Sequence, residues 1–364
     1  MNKPNKEGLE TAVSKTPASS SSARYARQIR FTPVGEQGQQ QLAGSRAAVV
    51  GMGALGSVIA QHLVRSGVGY VRIIDRDIIE WSNLQRQMLY TEQDVLALLP
   101  KAQAAAVHLR AINSSVTVEP VVADLTAVNA EEVLGDVDVI IDGSDNFSVR
   151  YLINDYCAKN TIPWIYGGAV GASGMTMTIL PNDSESPCYR CLFNEPPPPG
   201  TTDTCETAGV ISPIVDIIGS VQATEAIKLL SGNRKSLHRT LFQVDLWNHA
   251  WMPVSVANAK RGDCLCCGQK QFEFLDERVS EPAAASLCGR HSVQITPNQP
   301  VALNLDELSI RLKPIGTVTT NRFLLRIAVS DTLTFILFSD GRAIVQGTDE
   351  LTKARAIYAE ILGI

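Results

Sequence analysis

Arg46-Ala-Ala-Val-Val-Gly51-Met-Gly53-Ala-Leu-Gly56 is a short apolar run that ends in the pattern Gly-x-Gly-x-x-Gly. The run reads as a buried strand, because a stretch this short that is apolar at successive positions leaves no solvent face. Residues 54–65 then carry apolar side chains at helical spacing and stop at Ser66-Gly67, a good C-terminal signal. Val71-Arg-Ile-Ile74 is a second strand, ending on Asp75. The unit is therefore βαβ with glycines in its first turn. The glycines Gly51, Gly53 and Gly56 permit a tight turn and close backbone approach, and the helix N-terminus offers free N–H groups to a phosphate. Asp75 can accept hydrogen bonds from ribose hydroxyls. A purely structural turn is the alternative, and the motif alone leaves an NAD-dependent oxidoreductase open.

The pattern continues outward in both directions. Residues 101–112 read as helix, 116–122 and 137–141 as strands, and 150–159 as helix. Such alternation predicts an α/β chain with a Rossmann-like, doubly wound, mostly parallel sheet. From residue 164 the texture turns glycine-rich, with a strand near 175–180 and a long loop through the breaker stretch 196–200. A strong helical run at 213–230 and strands at 240–245 and 252–256 close a first domain, residues 24–268. Residues 270–364 are expected to form a small C-terminal α+β domain, with a hairpin over 334–346 and a helix over 349–362. Residues 1–23 read as a disordered leader; they hold no apolar core of the kind a secretory signal needs, so the expected location is cytoplasmic.

At 364 residues the chain suits about two domains of roughly 150 each. Hydrophobic residues make up 45% and charged residues 19%, with mean hydropathy +0.04. That is ordinary globular composition. The net charge of −5 gives no positive field to hold nucleic acid or an anionic membrane. No stretch reaches the roughly 18 to 20 uninterrupted apolar residues of a membrane span.

An enzyme that splits a nucleoside triphosphate must neutralise phosphate charge, which a dehydrogenase need not do. Asp77, the segment Ser82-Asn83-Leu-Gln-Arg86-Gln, and Lys101 behind Pro100 are the phosphate-facing candidates. The alternative for Arg86 and Lys101 is a solvated surface cation. Asp142-Gly-Ser-Asp145-Asn146 follows the 137–141 strand at the ligand-binding edge of a doubly wound sheet. Asp145 is the candidate magnesium ligand, and an N-cap made by Ser144, Asp145 or Asn146 is the competing use of the segment.

Cys188-x-x-Cys191 and Cys264-x-x-Cys267 form a split pair of knuckles whose four thiolates suit tetrahedral zinc. With every position filled by protein, the metal's role is structural. Cys266 is a neighbouring thiol that can compete for it. Cys157, on the apolar side of a helix, reads as core.

The ordered set Arg24-Tyr-Ala-Arg27-Gln, Gly51-x-Gly53-x-x-Gly56, Asp75-x-Asp77, Asn83-Leu-Gln-Arg86-Gln, Lys101, Asp142-x-x-Asp145-Asn, Cys188-x-x-Cys191 and Cys205 resembles the ThiF/MoeB adenylyltransferases, bacterial relatives of the ubiquitin-activating enzymes. The resemblance spans about residues 24–268. It implies that ATP, with Mg2+, adenylates the C-terminal glycine of a ubiquitin-like sulfur carrier ending in Gly-Gly, releasing pyrophosphate. It further implies that Asp75 holds the ribose, that Asn83, Arg86 and Lys101 hold phosphates, and that Asp145 binds magnesium. Arg27 would reach into a partner's ATP site, which implies a homodimer. Cys205 matches a cysteine that in the wider family can link covalently to the carrier. The segment running from Cys288 to Gln294, together with Asp340-Gly-Arg-Ala343 and Gln346-Gly-Thr348, resembles the small extension of thiamine-pathway members. The expected carrier is ThiS, with the molybdopterin carrier MoaD as alternative. A non-catalytic carrier-binding protein and a peptide-modifying adenylating enzyme are further rivals.

Overall fold

The structure, a computed structural model, describes residues 18–198, 201, 204–205, 207–276, 283–287, 291–297, 301–330 and 332–363. Helix α1 (Ala18–Ile29) reaches back into the segment read as leader, and the rest of that segment, residues 1–17, lies outside the described residues. The cause is tertiary. Arg24 donates to the carbonyl of Ile112 at 2.9 Å, and the Tyr25 hydroxyl accepts from Asn113 Nδ2 at 2.8 Å.

The chain continues through α2 (Gly35–Gly44), β1 (Arg46–Val50), α3 (Ala54–Ser66), β2 (Tyr70–Ile74), α4 (Glu92–Leu96), α5 (Lys101–Ile112), β3 (Thr117–Val121), α6 (Ala130–Leu134), β4 (Val139–Asp142) and α7 (Phe147–Asn160). Next come β5 (Trp164–Val170), β6 (Ser173–Ile179), α8 (Tyr189–Leu192), α9 (Ser212–Leu230), β7 (Thr240–Asp245), β8 (Ala250–Ser255) and α10 (Glu273–Asp276). One sheet of order β3-β2-β1-β4-β5-β6-β7-β8 organises them. Strands β3 to β5 in that order run parallel, and β6, β7 and β8 complete the sheet antiparallel. The expected Rossmann-like, mostly parallel α/β architecture is what the chain adopts.

Burial explains the opening stretch. Ala47 and Val49 enter the core shared with α3, α5 and α9, whereas Ala48 and Val50 enter the core shared with α6 and α7. A strand covered on both faces has no polar side to show. Strand β5 was not legible, because its Gly167 and Gly168 read as turn residues. A Cβ on Gly167 would lie 2.3 Å from the side chain of Gln222 on α9, so glycine there admits a close helix. Gln222 is wholly buried and donates to the carbonyls of Asp142 at 2.7 Å and Ile165 at 3.2 Å, tying β4 to β5.

The C-terminal part comprises β9 (Ala283–Leu287), β10 (Ser292–Thr296), α11 (Leu305–Leu312), β11 (Thr317–Thr320), β12 (Leu324–Ala328), β13 (Thr334–Phe338), β14 (Ala343–Gln346) and α12 (Leu351–Leu362). Its antiparallel sheet has the order β11-β12-β13-β14-β10-β9. The expected hairpin is β13–β14, closed by the Phe338 N–H donating to Arg342 at 2.8 Å, and the expected helix is α12. Residues 288–290 of the tail motif, including Cys288, lie outside the described residues. Leu305, Leu312, Ala354 and Ile361 bring α11 and α12 onto one face. Leu324, Ile336, Phe338 and Ile344 on the other face pack on Ile78 and Leu98 of the first domain. Among the described residues no helix is long and apolar enough to cross a membrane.

Candidate functional site

In a doubly wound sheet the loops leaving adjacent strands in opposite directions open a crevice at the strands' carboxyl ends. Here those strands are β1 and β4. The two loops meet backbone to backbone: Gly51 takes φ +86, a Cβ on Gly56 would stand 1.8 Å from the Gly51 carbonyl oxygen, and one on Gly143 would stand 2.8 Å from it. Gly143 belongs to the β4 loop, so the glycine motif has a fourth member that spacing alone does not reveal.

Asp75 ends β2 and braces this turn. One carboxylate oxygen accepts from the Met52 N–H and the other from the Asp77 N–H, each at 2.7 Å. Burial raises its pKa, and the Lys101 ammonium opposes the rise. The Tyr90 hydroxyl donates to the Met52 carbonyl at 2.7 Å, pinning the loop from the other side.

Lys101 is no surface cation. Its side chain is 4% exposed, and Nζ lies 3.1 Å from Asp77 Oδ2 at the start of α5. A lysine this enclosed persists only with a partner, since desolvation otherwise strips its charge. Asn83 is buried and closes a 3₁₀ turn, Trp81–Asn83, by accepting from the Glu80 N–H at 3.0 Å. Arg86 follows, its guanidinium donating to the Ser82 carbonyl at 2.9 Å. Asp145 is exposed in the β4 loop. The capping question is settled by Asn146, whose side chain accepts from the Ser148 N–H at 2.8 Å at the head of α7.

Cys205 comes to the same crevice from far along the chain. Its thiol donates to the Ala169 carbonyl at 2.9 Å, and its pKa is raised by burial first and by Asp145 second, with Arg86 and Arg150 pulling the other way. Arg76 and Arg150 were missed. Arg76 pairs with Asp124 at 2.7 Å and lies 3.7 Å from Asp77, while Arg150 reaches Asp142 at 3.3 Å. Arg76 stands between two aspartates already singled out, which was the available signal. Arg150 had none, since its place depends on how α7 packs. Gln87 is buried beside Gly53, with an Oε1 that has no hydrogen-bond partner among the described residues.

One predicted residue is not brought in. Arg27 is exposed on α1, which packs where Tyr25 meets Gly67 behind the C-terminus of α3. The glycine loop is at the other end of that helix, about 20 Å away at 1.5 Å per residue.

The four cysteines gather as their spacing predicts. The sulfurs of Cys188, Cys191, Cys264 and Cys267 all lie within 4.8 Å of one another. Cys188 is 3.6 Å from Cys264 and 3.8 Å from Cys191, and Cys191 is 3.4 Å from Cys267. Four thiolates about 2.3 Å from a tetrahedral zinc would stand close to these separations, so the donor set fits zinc. Cys266 lies beside this set without belonging to it, and Asn154 Nδ2 on α7 donates to its sulfur at 3.1 Å. Cys157 is buried in the core, as expected.

A family profile described as the ThiF family matches residues 25–266. The chain belongs to the ThiF family. This chain is 43% identical over 341 residues to a Bacillus subtilis protein named sulfur carrier protein ThiS adenylyltransferase, covering 93% of this chain and 99% of that one. That span takes in the C-terminal sheet as well as the ThiF domain. It is 40% identical over 254 residues to the SAMP-activating enzyme E1 of Haloferax volcanii, covering 70% of this chain and 92% of the relative. Among solved structures, Escherichia coli MccB with ATP matches with a TM-score of 0.58 at 21% identity, over 67% of this chain and 74% of that one. That likeness speaks to the fold of this ThiF family member alone.

Proposed function

We propose that this protein uses ATP to adenylate the C-terminal glycine of a ThiS-type, ubiquitin-like sulfur carrier, releasing pyrophosphate. The observation that carries the reading is the enclosed Lys101–Asp77 pair beside Asp75, with Asp145 and Arg86 both close enough to Cys205 to act on its thiol. A nicotinamide enzyme needs the glycine loop but has no use for that concentration of phosphate-neutralising charge. The 43% identity to a ThiS adenylyltransferase over nearly the whole chain supports the choice of carrier.

In the reaction a terminal carboxylate oxygen bonds to the α-phosphorus as the bond from that phosphorus to pyrophosphate breaks. The attacking group is already ionised, so no general base is needed and catalysis reduces to alignment and charge neutralisation. Asp75 orients the ribose; Asn83, Arg86 and Lys101 hold the phosphates. Magnesium on Asp145 would supply charge for the departing pyrophosphate. The Cys188, Cys191, Cys264 and Cys267 set would hold a structural zinc. A homodimer accounts for Arg27, whose exposed guanidinium would complete the partner's crevice. A protein substrate is supported by β8, the edge strand of its sheet among the described residues, where Trp251, Met252 and Val254 are exposed.

Because burial raises the Cys205 thiol pKa and no adenylation step uses a thiol, Cys205→Ala is expected to leave exchange within about twofold of wild type. Loss of exchange would mean that the loop thiol positions the acceptor tail.

The test of the function is ATP–pyrophosphate exchange with ThiS-type and MoaD-type carriers, each also lacking its terminal glycine. Exchange that needs the intact tail and prefers the ThiS type is the expected result. Preference for the MoaD type transfers the assignment to that carrier, and no exchange with either overturns it.

A further inference from the structure

The segment between β2 and α5 bears Asn83 and Arg86 yet contains only a 3₁₀ turn and the short α4. Regular secondary structure does not hold such a segment, so other contacts must fix the side chains it presents. The first-domain core holds Ile79, Leu89, Tyr90 and Val95, and the C-terminal sheet holds the rest. Leu324, Ile336, Phe338 and Ile344 seat Ile78 and Leu98, the two ends of the segment. Asn321 Nδ2 donates to the carbonyls of Ala97 and Leu98 at 3.1 and 3.0 Å. Leu98 has φ +52, a left-handed conformation that a branched side chain keeps only when its surroundings impose it.

A third contact reaches the functional turn itself. Gln346 Nε2, at the end of β14, donates to Glu80 Oε1 at 2.8 Å. Glu80 and Asn83 close a capping box in which the Asn83 side chain accepts from the Glu80 N–H at 3.0 Å and the Asn83 N–H donates to the Glu80 carbonyl at 2.9 Å. The Arg86 N–H in turn donates to the Asn83 carbonyl at 3.1 Å. Contacts thus run from the C-terminal sheet through the side chain and then the main chain of Glu80 to both candidate phosphate-facing residues. The opposite wall is held as well, since Arg342 donates to the Val122 carbonyl at 3.2 Å and Gln294 to Asp124, the partner of Arg76, also at 3.2 Å.

We infer that the C-terminal domain is a clamp on the ATP-facing segment, and that Gln346 is a positioning residue for Asn83 and Arg86. The inference deepens the proposed function and rests on it for the identity of the ligand. Gln346→Glu sets two carboxylates against each other at Glu80. It is expected to raise the KM for ATP in carrier-dependent exchange about tenfold or more, the size of a lost charge-assisted hydrogen bond, with kcat changed less than about threefold. Adding Glu80→Gln rebuilds the bond in reverse polarity and is expected to return KM to within about threefold of wild type. A merely structural role would lower the melting midpoint and the active fraction without moving KM. An unchanged KM in Gln346→Glu, or no rescue in the pair, overturns the clamp. The Kd for a non-hydrolysable ATP analogue is measured on the same three proteins. Wild-type protein that binds the analogue without exchange fails the functional reading, and the clamp is then decided by whether Kd follows the same pattern.

Discussion

Asp145→Ala is expected to lower carrier-dependent ATP–pyrophosphate exchange by about 10²- to 10³-fold, the usual cost of removing one group that stabilises developing charge. The thermal midpoint should stay within about 2 °C of wild type, because the side chain is exposed and Asn146 does the capping of α7. A second readout comes from Cys205. Its thiol pKa is raised by burial and then by the Asp145 charge, so removing that charge lowers the pKa and enlarges the thiolate fraction. Alkylation of Cys205 near pH 8 should accordingly quicken. Exchange kept within twofold would take Asp145 out of the site, and a large drop in midpoint would recast it as a structural residue.

Cys188→Ser is expected to take bound zinc from about one per chain to near none and to lower the midpoint by about 10 °C or more. Serine nearly matches cysteine in size, so the loss is of a ligand rather than of packing. The four thiolates join the turn after β6 to the turn after β8 across 76 residues of sequence separation. A closed zinc site contributes folding energy directly, and each kcal/mol lost from a domain of this size lowers the midpoint by about 2–4 °C. Cys266→Ser is the control, because that sulfur is bound by Asn154 and stands outside the four-sulfur set, and its zinc should remain stoichiometric. Zinc retained in Cys188→Ser but lost in Cys266→Ser would overturn the ligand assignment.

Much of the site was legible because its parts are local. The glycine turn, the aspartate at the next strand end proposed for the ribose and the lysine at a helix start each follow from a few adjacent residues and one change of period. The same holds for the two Cys-x-x-Cys knuckles, where a turn of fixed length aims two sulfurs one way. Choosing Cys267 over Cys266 was beyond spacing, since the two are adjacent and only the folded positions of Cys188, Cys191 and Cys264 show which sulfur completes the set. Asn146 as the cap, rather than Asp145, is a similar case: three neighbouring residues were eligible, and the path of the β4 loop selected one.

By itself the sequence determined the βαβ start, the mostly parallel sheet, the four-thiol set and the order of the residues proposed to face phosphate, because period, turn chemistry and ligand spacing are written over short distances. Only the tertiary structure decided that Gly143 interlocks with Gly51 and Gly56, that Arg76, Arg150 and Cys205 join the crevice, and that Arg27 stands at the far end of α3. It alone decided that the C-terminal sheet clamps residues 78–100. These are contacts between segments tens to hundreds of residues apart, and they depend on how closely backbones and helices approach, which no local pattern encodes.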